Sequence, residues 1–550
     1  MNDMKKLLAV AVMALLCCTG MMAKVNVTGR ITCGGKAVKG VHVTDGYKWS
    51  TTDAKGYYRL DSDKSNGYVF YVLPRGYEAT ASRGFLPNFW APLSAGKNKL
   101  ERHDFRLKKV NNDNCKLIVA TDLHLAARNN DVAQCEEMFF KRVNDVVAGS
   151  KEKVYSLFLG DVVYDEFWYC NNFGFKEYLD VLERNKYPTL AYHVMGNHDH
   201  DAAVPASEQC DFLSSASYRN AVGPRYYSFN LGKAHIIVLD DIFYKNKPTN
   251  EKQNKGVAGD QSYDDKFTAE QLAWVKEDLA RVADKSAPVF VAVHCNVWRL
   301  STDGKYEFHP YLVDGSADEL GKLFAGFSKV EVVSGHMHYN FHIHPVEYPN
   351  IHENNIAAAC ATWWYTRKYS PRHLCRDGSP AGFELYDISG KDISFKFTSI
   401  DPVDGTDDPQ MRVYDMNTVS EFYRTSPEIK KLAEYYPTQA MYGDVPANQI
   451  MLNVFDYDTD WKVEVIENGT PLKVERVVTV DPLHVLCSSV QIIKKDNRKP
   501  GICRAINTTH MFVAQAATAT APVEVRVTDS FGRVHTQQLV RPKAYTMEMK

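Results

Sequence analysis

Five short runs of residues could carry chemistry in this chain. They are Asp122-Leu-His124, Gly160-Asp161, Gly196-Asn197-His198-Asp199, His294 and Gly335-His336-Met337-His338. Carboxylate, imidazole and amide are donors that coordinate divalent transition metals. Each run closes or follows an apolar stretch that reads as a buried strand: CKLIVAT, VYSLFL, TLAYHVM, APVFVAVH and KVEVVS. The carboxyl ends of strands are where open α/β sheets build ligand sites. Singly, Asp161 could cap a turn and His294 could be a core histidine. In order, and each at a strand end, the five point to one metal-binding edge.

The series D-x-H, G-D, G-N-H-D, H and G-H-x-H resembles the calcineurin-like metallophosphoesterase family over residues 115–400. GPRYYSFNLGKAHIIVLDD, Gly223 to Asp241, is similar to the strand pair that follows GNHD in that family. The resemblance implies an α/β fold, a four-layer α-β-β-α sandwich with two divalent metal ions (Mn, Fe, Zn or similar) at one edge. By motif, Asp122, His124 and His338 would hold one ion, and Asn197, His294 and His336 the other, with Asp161 bridging. His198 would face the substrate, protonating the leaving oxygen or stabilising phosphoryl charge, and Asp199 would orient its neighbours. Only Asp122 and Asp161 bring charge to this ligand set. Two dications would therefore keep a surplus of about +2, or about +1 with a bridging hydroxide, which suits an anionic phosphoester. Such ions also lower the pKa of bound water to about 7.

Protein Ser/Thr phosphatases of the superfamily carry GDxxDRG. Here Gly160-Asp161-Val-Val-Tyr164-Asp165-Glu166 puts Tyr164 at the second acid and no arginine after it, which argues against a phosphoprotein phosphatase. Trp363, Trp364, Tyr164 and His200 are expected on the substrate side, the tandem tryptophans as a wall for a ligand's apolar part. His309, His342 and His344 read as structural.

The elements that must position these residues follow from pattern. Helical stretches lie at 132–147, 174–184 and 267–283, the last opened by a Thr268-Ala-Glu-Gln271 capping box. Their alternation with strands makes residues 111–400 an α/β domain. Residues 24–110 read as short strands with glycine punctuation, an all-β sandwich that resembles the carboxypeptidase-regulatory-like module. After the turn-rich DPVDGTDDP, residues 401–550 return to strands (QIMLNVFDY, WKVEVIE, VERVVTV and VEVRVTDSFGRVHTQQLV), a second β-sandwich. This order resembles an exported bacterial three-domain group, as do Ala357 to Trp364, Asp377-Gly378 and Thr508-Thr-His510.

Composition bounds the function. The chain has 550 residues, 45% hydrophobic and 24% charged, so it is a folded multidomain protein rather than a disordered one. A formal charge of −2 gives no basic surplus for nucleic acid, and no stable nucleic-acid partner is expected. Lys5-Lys6 followed by an apolar run to Cys18 and a small residue at Ala23 reads as a signal peptide over 1–23. The mature chain is expected outside the cytoplasm, periplasmic, cell-surface or secreted, with no transmembrane segment. Cys360 with Cys375 and Cys487 with Cys503 are the local disulfide candidates. The reading is an exported two-metal phosphoester hydrolase acting on a small-molecule or lipid-linked phosphoester. The alternative is a non-catalytic surface or glycan-binding protein that retains a phosphoesterase core. Oligomeric state and ester type stay open.

Overall fold

The structure is a computed structural model that describes residues 25–246, 262–301, 307–401 and 408–549. The leader at 1–23 and most of the 401–409 linker lie outside the described residues.

The strands that frame the site are β1 (Asn114–Ala120), β2 (Lys153–Phe158), β3 (Leu190–His193), β4 (Tyr227–Leu231), β5 (Ala234–Val238), β6 (Val289–Ala292), β7 (Val330–Ser334), β8 (Phe341–Ile343), β9 (Ile351–Asn355), β10 (Gly382–Ser389) and β11 (Asp392–Ser399). They form two sheets, ordered β3-β2-β1-β10-β11 and β4-β5-β6-β7-β9-β8. Parallel pairing with both faces covered explains why the central strands are apolar throughout. Register then does the positioning. Ala120 lies beside Phe158, and Phe158 beside His193, so β1, β2 and β3 end level. In the second sheet Val238, Ala292 and Val333 are likewise level. The loops after these ends carry all five motifs.

Rings join the two sheets. Tyr192 stacks on Phe229 with centroids 3.8 Å apart, and Phe290 meets Tyr386 edge-on at 5.2 Å. Helices cover the other faces. Asp131–Cys135 and Lys141–Gly149 are joined through a π turn, Glu136–Phe140, that turns Met138, Phe139 and Phe140 into the core. Ala269–Ala280 sets Trp274 against Tyr226 and buries Asp278 between Ser228 Oγ and His235 Nε2. Its start is capped as the sequence predicts, Thr268 Oγ1 accepting from the Gln271 N–H at 3.2 Å.

Residues 25–80 and 88–109 form a separate unit. Its described residues are strands and turns in two sheets, one built on Val27–Cys33 and the other on Tyr68–Tyr71. Residues 81–87 belong instead to the larger unit, where Phe85 packs on Tyr187.

The expectation of an all-β C-terminal domain is corrected. Two four-stranded sheets are present, but helices Met416–Thr425, Pro427–Tyr435, Pro482–His484 and Gln491–Asp496 lie among them. The cause is local: Asp415, Ser426 and Asp481 each cap a helix, and proline follows the last two at the first helical position. The disulfide candidates are corrected too, since all four cysteines are free. Cys487 and Cys503 lie in different apolar clusters. The Cys360 thiol faces His338 Nδ1 at 3.6 Å, while Cys375 points to the Ala358 carbonyl.

Candidate metal centre

The loops bring the seven expected ligands into one buried cluster with two halves. In one, Asp122 Oδ1 lies 3.2 Å from His338 Nε2 and 3.6 Å from His124 Nε2, and the two imidazole nitrogens are 3.1 Å apart. In the other, Asn197 Oδ1 lies 3.0 Å from both His294 Nε2 and His336 Nδ1. Asp161 Oδ2 stands between the halves, 3.2 Å from His294 Nε2 and 3.5 Å from His124 Nε2.

The other atoms of these side chains are fixed from behind. His294 Nδ1 donates to the Leu159 carbonyl at 2.8 Å, and His338 Nδ1 to that of Ala361 at 3.2 Å, which turns each Nε2 toward the cluster. Against burial, Asp161 holds His294 up at about 10 and Cys360 with Asp122 raises His338, protons that a bound cation would displace. Asp122 Oδ2 accepts from Thr121 Oγ1 and from the His336 N–H. Asp122, His124, Asp161, His336 and His338 all adopt left-handed φ, between 44° and 63°. That strain is held by the surrounding structure and aims successive side chains into one cavity. The motif glycines are required by proximity. A Cβ on Gly196 would overlap the Asp161 carboxylate, and one on Gly335 would overlap Thr121.

The residues fit a pair of divalent ions. Among the described residues, Asp122 Oδ1 is buried with no hydrogen-bond partner. Burial pushes His124 down to about 4 and, with His294 beside it, His336 down to about 3, so both rings are neutral ligands at physiological pH. Imidazole nitrogens facing one another across about 3 Å need a proton or a cation between them.

His198 is beside the cluster. Its N–H donates to Asp161 Oδ1 at 2.7 Å, and its Nδ1 pairs with Asp165 Oδ1 at 2.7 Å. Burial opposes the charged ring, but Asp161 and Asp165 outweigh it and raise His198 to about 9. Sequence reasoning missed Asp165. The signal was present, one residue past the position where Tyr164 was read as a departure. Asp199 is fully buried and receives the backbone N–H groups of Asp161, Val162, Val163 and Gly196. It shapes the Gly160-Asp161 turn from behind the cluster.

Of the four residues expected on the substrate side, two are corrected. Trp364 is completely buried, its indole N–H donating to the Leu123 carbonyl at 2.8 Å and its ring stacked on His373. The left-handed turn at Trp363 and Trp364 sends the two indoles to different places. His200 is also fully buried, stacked on Tyr244 and bonded to Ser214 Oγ. Trp363 does reach the site: its ring lies 4.5 Å from that of His338, and it lines a cleft of ≈ 530 Å³ with His336, Tyr339, Arg376 and Arg504. Tyr164 packs edge-on against His198 and His124, under the Arg128 guanidinium.

Three family models match. "N terminal of Calcineurin-like phosphoesterase" matches residues 25–110, "Calcineurin-like phosphoesterase" 115–340, and "C terminal of Calcineurin-like phosphoesterase" 353–535. A comparison with curated proteins gave no match. Among solved structures, a dimetal phosphatase from Danio rerio is 13% identical, covering 52% of this chain and 96% of its own, with a TM-score of 0.34. A purple acid phosphatase from yellow lupin is 11% identical, covering 66% and 72%, at 0.36. A 5'-nucleotidase precursor from Thermus thermophilus is 14% identical, covering 52% and 54%, at 0.27.

Proposed function

We propose, for a chain that belongs to the calcineurin-like phosphoesterase family and is a metal-dependent phosphoester hydrolase, that it is an exported enzyme with a dinuclear centre. Its substrate in this reading is a small-molecule or lipid-linked phosphoester. The ligands are Asp122, His124 and His338 for one ion, Asn197, His294 and His336 for the other, and Asp161 for both. One observation carries this: Asp161 Oδ2 is the oxygen common to both halves of the cluster, 3.2 Å from His294 and 3.5 Å from His124. When bound, the ions supply Lewis acidity toward the phosphoryl oxygens and a water that ionises near neutral pH.

The protein's own residues do the rest. Asp165 Oδ1 accepts the Nδ1–H of His198, so Nε2 is the atom left for the substrate. Protonated, that nitrogen donates to the leaving oxygen or to the phosphoryl group. Arg376 and Arg504, with the face of Trp363, give the adjoining cleft a cationic and aromatic lining for the remainder of an anionic ester. The two facing sheets with their outer helices are read as the four-layer α-β-β-α sandwich of residues 111–400. Residues 24–110 and 401–550 are read as flanking domains, and 1–23 as a leader cleaved on export.

The test is hydrolysis of bis-p-nitrophenyl phosphate and p-nitrophenyl phosphate by the mature chain, with Mn²⁺, Zn²⁺ or Fe²⁺ restored after chelation. Metal-dependent turnover that disappears in Asp161→Ala supports the reading. A chain that binds metal yet hydrolyses neither ester, nor any member of a phosphoester panel, defeats it.

A further inference from the structure

A second group of histidines and carboxylates lies outside the cluster described above. His342 is on β8, His352 is on β9, and Asp456 and Asp458 are in the turn that follows strand Gln449–Val454. His342 Nδ1 faces His352 Nε2 at 3.0 Å, and Asp458 Oδ2 lies 3.7 Å from that same His352 nitrogen. These three donor atoms lie within 4.8 Å of one another.

The outward nitrogens are already committed. His342 Nε2 pairs with Asp456 Oδ1 at 2.9 Å, and His352 Nδ1 with Glu331 at 3.0 Å. Glu331 is beside His352 by strand register and is held by the Tyr386 hydroxyl at 2.8 Å. A carboxylate behind each imidazole is the arrangement that fixes metal-binding histidines in the right tautomer. Proton counting makes the point sharper. With each outward nitrogen donating to its carboxylate, two neutral rings meet lone pair to lone pair at 3.0 Å. That contact needs either an extra proton or a cation; against burial, Asp456 holds His342 up at about 9, so a cation here would displace a proton.

We propose that His342 Nδ1, His352 Nε2 and Asp458 Oδ2 form a zinc-class divalent site distinct from the catalytic pair. Donor separations of 3.0 and 3.7 Å bracket the roughly 3.3 Å between ligands of a tetrahedral zinc ion. Asp458 Oδ1 accepts from the Thr459 N–H at 2.6 Å, and Oδ2 is shared with His344 Nε2 at 2.9 Å, a contact the ion would replace. His344 is paired with Asp458 and has 48% of its side chain exposed, marking the solvent side, where the fourth ligand position and the entry path lie. The site ties the edge of the second sheet to the C-terminal segment, so its role is to hold structure.

The experiment uses the full mature chain, loaded with Zn²⁺, desalted and counted by elemental analysis beside His352→Ala and Asp458→Asn. Wild type is expected to retain one zinc per chain more than either variant. Turnover of the chromogenic ester is expected to be equal in all three, and zinc is expected to raise Tm further in wild type than in the variants. Equal zinc content in wild type and Asp458→Asn overturns the proposal. Asp458→Asn decides alone if His352→Ala does not fold, because it keeps the side chain's shape. Asp161→Ala separates this site from the catalytic reading: it should lose catalytic metal and keep this ion, and a zinc count that falls only in Asp161→Ala also overturns the proposal.

Discussion

At the level of single residues, the proposed reading gives Asp161 and His198 different work. Asp161 gives one oxygen to both halves of the cluster and its other to the His198 N–H. Asp161→Ala is therefore expected to lose turnover and most catalytic metal together, checked by elemental analysis beside an ester assay. His198 is assigned to neither ion, although its ring lies 5.1 Å from that of His124. His198→Ala should keep its metal and lose about 10²–10⁴-fold in kcat. The loss should be greatest for poor leaving groups and smallest for a nitrophenyl ester, and a uniform loss would assign His198 to phosphoryl charge instead. Asp165 acts through His198, so Asp165→Asn should cost about 10–100-fold with the same leaving-group bias. An Asp165→Asn enzyme with unaltered leaving-group dependence would leave Asp165 only a structural role. The clustering of the seven expected ligands was legible because a motif states residue type and loop position together. Asp165, His200 and Trp364 were not. Each depends on where a side chain points after a turn, which sequence spacing leaves open.

At the level of elements, the same turn that brings Trp363 to His338 drives Trp364 into the core against Leu123 and His373. Trp364→Ala should cost about 3–5 kcal/mol of stability, read as a lower denaturation midpoint, and leave KM unchanged. A raised KM at normal stability would return Trp364 to the substrate wall. Helices 131–149, 175–184 and 269–280 and the strands before the motifs were readable from apolar period and caps. The C-terminal helices were not, because their short apolar runs are split by caps and prolines between strongly alternating strands. One tail residue reports on this region. Lys543 Nζ donates to the Val413 carbonyl at 3.0 Å, and burial, with Arg412 nearby, holds its ammonium down at about 8. The folded state thus resists a charge that the unfolded chain accepts up to about pH 10.4. That penalty is complete below pH 8 and fades as pH rises toward 10. Lys543→Met should therefore be the more stable form at pH 7, with the Tm difference narrowing by pH 10. A constant difference across that range would refute the burial effect.

At the level of the whole molecule, residues 110–401 and 408–549 share one interior. Phe455 belongs to the core beneath the candidate metal centre, and Leu374 to the core of the C-terminal helices. Polar groups cross in the same way. Asp377 Oδ2 accepts from His510 Nε2 at 3.0 Å, His510 Nδ1 pairs with Asn453 Oδ1 at 2.8 Å, and Asn453 Nδ2 donates to the Asp377 carbonyl at 2.9 Å. All three residues are buried. Removing the C-terminal partners would uncover apolar side chains and take His510 and Asn453 from Asp377, leaving its carboxylate with Ser379 and the Asn340 N–H. Truncation also takes Phe455 from one core and uncovers Leu374 and Tyr369, which cluster with C-terminal residues, and a fold stable by only about 5–15 kcal/mol is sensitive to such losses. A chain ending at residue 400 should therefore be insoluble, or bind a hydrophobic dye and lack near-ultraviolet circular dichroism. The milder His510→Ala should fold with a lowered Tm and intact catalytic metal. A soluble, cooperatively melting 25–400 chain with full ester turnover would show that the catalytic layers stand alone, and that the C-terminal segment serves the cleft rather than the fold.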